Sequence, residues 1–574
     1  MTRSAIRHRP DGGWVNSQVI RAMAASHKQK LASHGKYDYI IIGAGSAGCV
    51  LASRLSEDPT VKVLLLEAGG KDTAKEVHMP VAFSKLFKGP NDWAYYTEPE
   101  GRLGNRSLYW PRGKVLGGSS SLNAMIYIRG HRSDYDQWRD LGNPGWGYSD
   151  VLPYFKKAEN NQRGASEYHG ASGPLHVSNP RSLNPLSQVF VDAAEQAGFK
   201  RNPDFNGATQ EGFGLYQLTQ WQGKRHSAAA AFLRPAMSRP NLTVRTKVQA
   251  FDIFFEGKRA ALVSFRDGGG SKQERAEREI IVCAGAISSP QLLMLSGIGP
   301  AEHLRTLDIA VLCDLPGVGA KLQDHPALPV AYECTQPISL ASAETITNLI
   351  RFMAFKTGPL TSNVGEAGGF VKTSTSCPTP DVQYHFAPGY FIEHGFQQIK
   401  EHAYSLIPTL IRPNSRGRIT LRSGNPLDAP LIHANYFADP RDMQAVVEGL
   451  RIARAIGETN AFAKYRKREL CPGPEIKNDE KSLSSYIEKY AQTLYHPVGT
   501  CKMGPSGDKL AVVDSELRVH GVEGLRVVDA SIMPIVPGGN TNAPTIMVAE
   551  KAADLIKSGP RKAQEEPVLS QTLA

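Results

Sequence analysis

The sequence has few cysteines and no long apolar run. Its 574 residues include seven cysteines, an odd number, which lie far apart and form no C-x-x-C motif. Such spacing argues against a disulfide framework and against a zinc site, and it favours reduced thiols in an intracellular protein. No apolar stretch approaches the roughly 20 residues that a helix needs to cross a membrane. We therefore expect a protein that is soluble or bound peripherally to a membrane.

Acidic residues are almost missing from residues 1–35. Arginines and lysines there accompany a single acid, Asp11, and the apolar core of a secretory signal is absent. We interpret this segment as a flexible basic leader that precedes the fold. The alternative is an organelle transit peptide, which would make the protein mitochondrial; we expect a location in the cytoplasm or peripherally on the inner membrane. The polar residues 558–574 are predicted to form a flexible tail.

A nucleic-acid-binding module is also missing, although the net charge is +11 and the sequence pI is near 9.1. The basic residues are spread along the chain rather than gathered in one motif. We therefore expect no nucleic-acid partner and only a weak attraction to anionic membranes. The length of 574 residues exceeds that of one ordinary domain, so two or three domains are expected.

A strand, a glycine turn, a helix, a second strand and an acid follow one another at the start of the predicted fold. The first strand begins near Tyr39 and runs into a G-x-G-x-x-G motif at Gly43, Gly45 and Gly48, and the second strand ends on Glu67. In a dinucleotide-binding unit these glycines permit the turn, the approach of a pyrophosphate and close helix packing. The helix N-terminus attracts phosphates, and the acid binds ribose hydroxyls. An ordinary βα turn is the alternative, but it does not require an acid at that position.

Later segments continue this organisation. A glycine- and serine-rich loop at 113–121 offers many N–H and O–H donors, which suit phosphates or a flat ring. Residues 279–286 and 525–530 are predicted as buried strands, and a helix is predicted to open at Asn542. Between about 330 and 480 the pattern changes to alternating strands with helices between them. That change predicts a separate substrate-facing layer.

Together these segments resemble the glucose–methanol–choline (GMC) oxidoreductases. The resemblance is carried by the first βαβ unit, by GKVLGGSSSLN at 113–123, by GAISSP through SGIG at 285–299, and by YHPVGTCKMG at 495–504 with VVDAS at 527–531. It implies an α/β fold with a discontinuous Rossmann-like FAD-binding domain and a substrate domain built on an antiparallel sheet and helices. Residues 36–330 would form the N-terminal FAD-binding region and 331–490 mainly the substrate-binding region. Residues 491–557 would return to the FAD domain with the catalytic pair.

The resemblance also implies which residues hold FAD. The implied cofactor-binding residues are Gly43, Gly45, Ser46, Ala47, Gly48, Glu67, Ala68, Val115, Gly118, Ser119, Asn123, Ala124, Met125, Val248, Asp529, Ala530, Asn540 and Thr541. Some family members attach FAD covalently through a histidine just before the signature Asn123. This chain has Leu122 at that position, so we expect FAD to be bound non-covalently. No metal site is predicted.

His496 and Asn540 occupy the positions of the family's catalytic pair. A neutral imidazole is suited to take the hydroxyl proton of an alcohol. An asparagine side chain can hold the alcohol oxygen and stabilise the developing alkoxide, while flavin N5 accepts the hydride. The resemblance therefore implies an FAD-dependent alcohol dehydrogenase whose product is an aldehyde.

The motifs leave more than one candidate for the substrate and for the electron acceptor. Glu366 resembles a carboxylate that choline-oxidising members place against a trimethylammonium group. A structural carboxylate is the alternative, and relatives that act on uncharged alcohols carry a similar motif. The segments 358–363 and 408–413 look more like those of aliphatic alcohol dehydrogenases. We expect a primary aliphatic alcohol, with choline as the alternative, and a quinone or other respiratory carrier as the acceptor.

Two other functions are alternatives to alcohol oxidation: light-driven decarboxylation of fatty acids and flavin binding without turnover. Light-driven fatty-acid decarboxylases on the same fold lack the histidine at the position of His496 and have glutamine at that of Asn540. A flavin-binding protein without turnover would need a broken catalytic pair. Because both residues are present here, the sequence favours an alcohol-oxidising enzyme over either alternative.

Overall fold

The computed structural model describes residues 36–559. The predicted leader and all but two residues of the predicted tail lie outside the described residues. Two large sheets with helices around them form an α/β fold, as predicted from the sequence. Within residues 36–559, every helix is too short or too polar to traverse a bilayer.

The first sheet is parallel at its centre. Its seven strands are Tyr37–Ile42, Val63–Glu67, Leu242–Thr246, Gln249–Glu256, Arg259–Asp267, Gly270–Val282 and Leu525–Val527. The strand from Tyr37 runs parallel to those from Val63 and Gly270, and its register sets Ile41 beside Leu65 and Ile281. These three side chains are fully buried. Continuous apolar runs of this kind suit strands that are covered on both faces.

Helices separated by most of the chain cover this sheet together. The helices Ser46–Leu55 and Asn542–Lys557 are joined by a hydrogen bond of 2.8 Å from Ser46 Oγ to Asn542 Oδ1. Further along, Arg54 is paired at 2.7 Å with Glu550, whose side chain is fully buried. The C-terminal helix therefore packs on the first sheet together with the helix Ser46–Leu55.

The second sheet is antiparallel. Its eight strands are Gly212–Leu215, Pro326–Ala327, Val330–Cys334, Ala367–Val371, Val382–Ala387, Ala403–Leu410, Arg466–Cys471 and Gln492–Thr493. The helices that pack against it are Pro185–Gln196, Pro440–Gly457 and Glu480–Tyr490. Five of these strands lie within residues 330–490, two come from earlier in the chain, and Gln492–Thr493 comes from later. The chain therefore enters the second layer before residue 331.

Shorter elements connect the two layers. The other α-helices are Lys75–His78, Arg132–Asp140, Tyr148–Ala158, Arg234–Ala236, Gly285–Leu295, Ala301–Thr306 and Ile346–Phe355, with a π-helical turn at Ala229–Leu233. The 3-10 turns are Pro80–Leu86, Gly101–Leu103, Gly118–Ser121, Leu340–Ser342, Pro359–Thr361, Glu393–Gly395, Asn460–Phe462 and Ala530–Ile532. Two-stranded ribbons pair Tyr95–Tyr96 with Tyr109–Trp110, Glu159–Asn161 with Leu175–Val177, Gln220–Trp221 with Lys224–Arg225, Ile298–Gly299 with Cys313–Asp314, and Arg418–Thr420 with Leu431–His433.

The helix after the strand Gly270–Val282 begins earlier than the sequence suggests. Because proline is typical of a first helical turn, Pro290 predicts a helix that begins at Ser289; the helix instead begins at Gly285, and Pro290 lies inside it. A proline there cannot donate to the carbonyl four residues before it. That carbonyl, of Ala286, instead accepts a hydrogen bond of 2.6 Å from Thr500 Oγ1. A tertiary contact thus compensates for the missing N–H.

Candidate active site

A cavity extends from the carboxyl ends of the parallel strands to the face of the second sheet. Ile42, Glu67 and Asp529 line it from the first sheet, and His385 and Ile407 line it from the second. Ligands of open α/β sheets bind where parallel strands end. The position of this cavity follows from that topology, and the second sheet closes its far end.

Close backbone packing shapes the end of the cavity at the first sheet. Gly43 has φ +102°, and a Cβ atom on it would lie 2.5 Å from the carbonyl oxygen of Cys283. A Cβ on Gly48 would lie 1.9 Å from the Gly43 carbonyl, and one on Gly118 would lie 2.7 Å from Cα of Gly45. Any side chain at these three positions would force the backbone segments apart. The glycines therefore let the backbone segments at this end of the cavity lie close together, with their N–H groups accessible. We call this end of the cavity the phosphate cradle.

Three helices begin at this end of the cavity. They are Ser46–Leu55, Gly285–Leu295 and Asn542–Lys557, and in none of them does the side chain of the N-cap residue accept a hydrogen bond from the helix. The first residue of each helix lines the cavity. Such helix N-termini present backbone N–H groups, of which that of Gly285 is already bound by Asp529, and the positive end of the helix dipole. Their convergence suits the pyrophosphate of a dinucleotide.

Two carboxylates lie among these N–H groups. Glu67 accepts hydrogen bonds from the backbone of Ala44 at 2.8 Å and Gly69 at 2.7 Å, and burial raises its pKa to about 7 despite these bonds. Asp529 accepts from Gly285 N at 2.8 Å and from Ser289 Oγ at 2.6 Å. Each carboxylate keeps lone pairs for further donors, such as ribose hydroxyls.

Most residues implied to bind the cofactor line the cavity. They are Gly43, Gly45, Ser46, Ala47, Glu67, Ala68, Gly118, Ser119, Asn123, Ala124, Met125, Val248, Asp529, Ala530, Asn540 and Thr541. Gly48 and Val115 are not among the lining residues. Gly48 packs against the carbonyl of Gly43, and Val115 is buried in a small apolar cluster with Leu122. These two residues support the cradle from behind.

The predicted catalytic pair is brought together at the other end of the cavity. Nδ2 of Asn540 lies 3.3 Å from Nε2 of His496, and Oδ1 of Asn540 accepts a hydrogen bond of 3.1 Å from Gln383 Nε2. Gln383 therefore fixes the amide so that its amino group faces the imidazole. In this orientation Nε2 of His496 is the acceptor, and its single lone pair is directed at the Asn540 amino group.

The rest of the His496 environment holds the ring and keeps it neutral. Its backbone N–H donates to Asp324 Oδ1 at 2.7 Å, and its Nδ1 lies 3.0 Å from Nδ1 of His325. Burial, with smaller contributions from His325, His385 and Arg112, lowers the pKa of His496 well below the ordinary value. A ring held in this way is a neutral base across the usual pH range.

A second cavity histidine was not singled out in the sequence. His385 is buried, lines the cavity, and burial lowers its pKa to about 3. Its Nδ1 lies 3.4 Å from Thr409 Oγ1, and its Nε2 has no hydrogen-bond partner among the described residues. The sequence pattern relates this histidine to Gln383, which contacts Asn540, because the alternation of a strand puts residues 383 and 385 on one face. A substrate hydroxyl or the cofactor could supply the missing partner.

Aromatic and aliphatic side chains form the wall around the catalytic pair. The apolar residues lining this end include Phe83, Phe87, Val364, Phe391, Ile407, Leu494 and Tyr495. The rings of Phe83 and Phe391 lie 6.1 Å apart between centroids, and those of Phe87 and Tyr495 lie 5.7 Å apart. This wall excludes water and favours an apolar ligand.

Glu366 is directed away from this wall. It is fully buried and is not among the cavity-lining residues, although its neighbour Gly365 is. Its carboxylate accepts hydrogen bonds from Asn184 N at 2.9 Å, Ser187 Oγ at 2.7 Å and Ser362 Oγ at 2.5 Å. The structure thus gives Glu366 a set of protein partners and does not bring it to the catalytic pair.

Arg225 is a buried cation behind the cavity wall that the sequence did not reveal. It donates to the carbonyl and side-chain oxygens of Asn123 at 2.6 and 2.7 Å and to the carbonyl of Val77 at 2.8 Å. Within the described residues its Nη2 has no hydrogen-bond partner, and burial, with no acid to oppose it, lowers its pKa to about 9. An uncompensated buried cation is costly. An anionic ligand beside Asn123 would offset that cost.

The fold and the cavity define the class of the protein. It is a dinucleotide-dependent oxidoreductase, because one cavity contains both a site suited to phosphates and a neutral histidine suited to accept a proton. Family models described as GMC oxidoreductase match residues 37–327 and 413–549. The chain belongs to the GMC oxidoreductase family, as its motifs indicated. Its cofactor is FAD, and it oxidises CH–OH groups.

The comparisons with individual proteins agree with this assignment. The chain is 47% identical over 568 residues to mitochondrial choline dehydrogenase of Mus musculus, covering 96% of this chain and 95% of that protein. It is 48% identical over 529 residues to alcohol dehydrogenase (acceptor) of Pseudomonas putida, covering 91% and 95%. The crystal structure of pyridoxine 4-oxidase from Mesorbium loti superposes with a TM-score of 0.84 at 32% identity, covering 92% of this chain and 100% of that chain.

Proposed function

We propose that the protein oxidises a primary aliphatic alcohol to the aldehyde and passes the electrons to a quinone or another acceptor that is not oxygen. The observation that carries the proposal is the hydrogen-bonded pair of His496 and Asn540 at the apolar end of the cavity. Oxidation of an alcohol removes a hydroxyl proton and a hydride from the same C–O unit, so it needs a base beside a hydride acceptor. FAD, when bound, supplies the acceptor for the hydride.

His496 takes the hydroxyl proton on its Nε2 atom. Burial lowers the pKa of His496, so the ring is neutral and able to accept a proton at neutral pH. The Nδ2 amino group of Asn540, 3.3 Å from that nitrogen, is placed to donate a hydrogen bond to the alcohol oxygen. Such a donor stabilises the negative charge that grows on the oxygen as the proton leaves.

The lining of the catalytic end supports an uncharged substrate. Its side chains are mainly aromatic and aliphatic, and the cavity-lining carboxylates of the described residues, Glu67 and Asp529, belong to the nucleotide end. Because Glu366 is held by protein donors, no carboxylate of the described chain faces the position of the alcohol. An aliphatic chain loses little by entering such a site, whereas a cation loses its hydration.

Choline is the second candidate. Aromatic rings attract quaternary ammonium groups through their π faces, and Phe83, Phe87 and Phe391 are available for this. The 47% identity to a choline dehydrogenase supports this candidate as well. A matched pair of substrates separates the two proposals: choline carries a trimethylammonium group, and 3,3-dimethyl-1-butanol has the same shape without charge.

The test is a panel of substrates and acceptors with purified, FAD-loaded protein. We expect hexanol and 3,3-dimethyl-1-butanol to exceed choline in kcat/KM, with a dye or a quinone reduced far faster than oxygen. A preference for choline would establish the second candidate. Hydrogen peroxide formed at the rate of alcohol oxidation would refute the proposed acceptor, and reduction of the flavin by none of the alcohols would refute the reaction.

A further inference from the structure

The helix Ile346–Phe355 presents an apolar face to solvent. The exposed fractions are 79% for Ile346, 60% for Ile350, 63% for Met353 and 69% for Phe355. Of the twelve large apolar side chains exposed within residues 36–559, five belong to this ten-residue helix, the fifth being Leu349. Scattered exposed apolar residues are normal, but a concentration on one element marks an interaction surface. By their spacing, Ile346, Leu349, Ile350 and Met353 lie on one side of the helix, and we call these four residues the apolar helix face.

The helix is firmly attached to the protein. Its single buried residue, Phe352, packs in a cluster with Ala343 and Leu360, and Thr345 caps its N-terminus through Asn348 N. Lys356 adopts a left-handed conformation that ends the helix. The exposed face is therefore a fixed feature rather than the result of a poorly packed helix.

The charged side chains of the helix and of the segment that follows it have one sign. Between residues 345 and 365 the charged side chains are Arg351 and Lys356. The nearest acid before the helix, Glu344, is paired with Lys85 at 2.5 Å. Basic residues beside an apolar face match a surface of anionic lipid headgroups over acyl chains. A second copy of the chain meeting this face about a two-fold axis would instead bring the same cations together.

The hairpin beside the C-terminal end of the helix has the same character. Gly223 lies against the carbonyl of Lys356, since a Cβ added there would be 2.3 Å from that oxygen. The two strands of this hairpin carry Trp221, which is 49% exposed, and Lys224, which is exposed as well. Tryptophan and lysine are both favoured at the boundary between water and lipid.

The apolar helix face is also structurally continuous with the catalytic end of the cavity. The helix contacts the turn Pro359–Thr361, and that turn contacts Pro80–Leu86. Phe83 lies in the second of these turns, and Phe87 and Val364 follow the two turns closely; all three line the cavity. A bilayer in contact with the helix would therefore lie near the apolar wall of the cavity.

We propose that the apolar helix face docks the enzyme on an anionic lipid bilayer, with Arg351 and Lys356 in contact with the headgroups. Its functional value rests on the proposed transfer of electrons to a membrane acceptor. Docking itself involves no redox step, so it is measured separately from the reaction.

Co-sedimentation of the FAD-loaded full chain with vesicles tests the docking directly. The vesicles contain phosphatidylcholine alone or with phosphatidylglycerol. We expect binding to the anionic vesicles, and a loss of about tenfold or more when Ile350→Glu and Met353→Glu are combined, because both apolar insertion and charge attraction are weakened. Leu427→Glu, a control at a 56% exposed position elsewhere on the surface, is expected to bind normally.

Two further measurements keep the outcomes distinct. The double variant is expected to retain its turnover of alcohol with a water-soluble dye and to lose turnover with a long-chain quinone held in the vesicles. Binding of the double variant equal to that of the unmodified protein overturns the proposal, as does an equal preference for neutral vesicles. A dimer in solution that the double variant breaks, without any vesicle binding, also overturns it. If the alcohol reaction fails while vesicle binding persists, only the proposed function is lost.

Discussion

The Nδ1 atoms of His325 and His496 lie 3.0 Å apart, within hydrogen-bonding distance. Two ring nitrogens so close cannot both carry a proton, so one imidazole donates and the other accepts. Because Asn540 presents its amino group to Nε2 of His496, the proton of His496 is on Nδ1 and is donated to His325. Burial lowers the pKa of His325 to about 3, so it remains a neutral acceptor. This contact leaves Nε2 of the proposed base unprotonated, so it can accept a proton from an alcohol that replaces the hydrogen bond from Asn540.

Substitution of His325 tests this relationship. His325→Leu removes the acceptor for Nδ1–H, so we expect kcat to fall about tenfold, corresponding to one lost hydrogen bond of about 1.4 kcal/mol, with KM nearly unchanged. His325→Gln keeps an acceptor oxygen and should restore part of the rate. Steady-state kinetics of both variants provide the check. Equal losses in the two variants would indicate a packing role instead.

Substitution of His496 should affect the chemical step alone. We expect His496→Ala to slow flavin reduction by the alcohol by about 10²- to 10⁴-fold, as for the loss of a general base. The visible flavin spectrum should remain, because the phosphate cradle lies at the other end of the cavity. Stopped-flow absorbance measures the rate, with His433→Ala, outside the cavity, as the control. A variant that reduces flavin at the normal rate would remove His496 from the mechanism.

The pH dependence of flavin reduction should report the lowered pKa of His496. The base is neutral above its pKa, so the rate should stay level as the pH falls through the ordinary histidine value of 6.5 and decline only in more acidic solution. Asn540→Asp places a carboxylate beside Nε2, which stabilises the imidazolium and raises the pKa of His496. The acidic decline should therefore move to higher pH. Asn540→Ala should lower the rate without that displacement, and an unmoved profile in the Asp variant would contradict the assignment.

Arg225 should contribute to FAD binding. We expect Arg225→Met to weaken FAD affinity about tenfold or more, since it removes a buried positive charge and the donors that hold Asn123. Arg225→Lys retains the charge but cannot reproduce the forked contact, so an intermediate affinity is expected. Reconstitution of the apoprotein, followed by flavin fluorescence, gives both dissociation constants. Unchanged affinity in the Met variant would limit Arg225 to a packing role.

Glu366 should matter for stability more than for substrate choice. Glu366→Gln exchanges one acceptor oxygen for an amino group that faces existing donors, so the free energy of unfolding should fall by about 1–3 kcal/mol. Thermal unfolding measures this loss. The KM values for hexanol and choline should keep their ratio. A selective rise in the KM for choline, with normal stability, would instead show that the carboxylate contacts the substrate.

Much of the fold was predictable because its signals are local. Continuous apolar runs such as residues 39–42 and 63–66 predict buried parallel strands, and the glycines that follow the first run predict a phosphate cradle. The alternation near residue 382 predicts a strand of the second layer, which the structure has at Val382–Ala387. Prediction was less successful where a tertiary contact compensates for a local defect, as Thr500 does for the carbonyl left free by Pro290.

The sequence by itself determined the family and the cofactor and pointed to His496 as the proposed base, because all three inferences depend on residue types at fixed spacings. Only the tertiary structure decided that His325 orients His496 and that His385 lines the same cavity. It also decided that Arg225 is buried without an acidic partner and that the Glu366 carboxylate accepts hydrogen bonds from Ser187 and Ser362. The physical reason is that burial and hydrogen-bond partners depend on chain segments far apart in sequence, which meet only when the two sheets pack together.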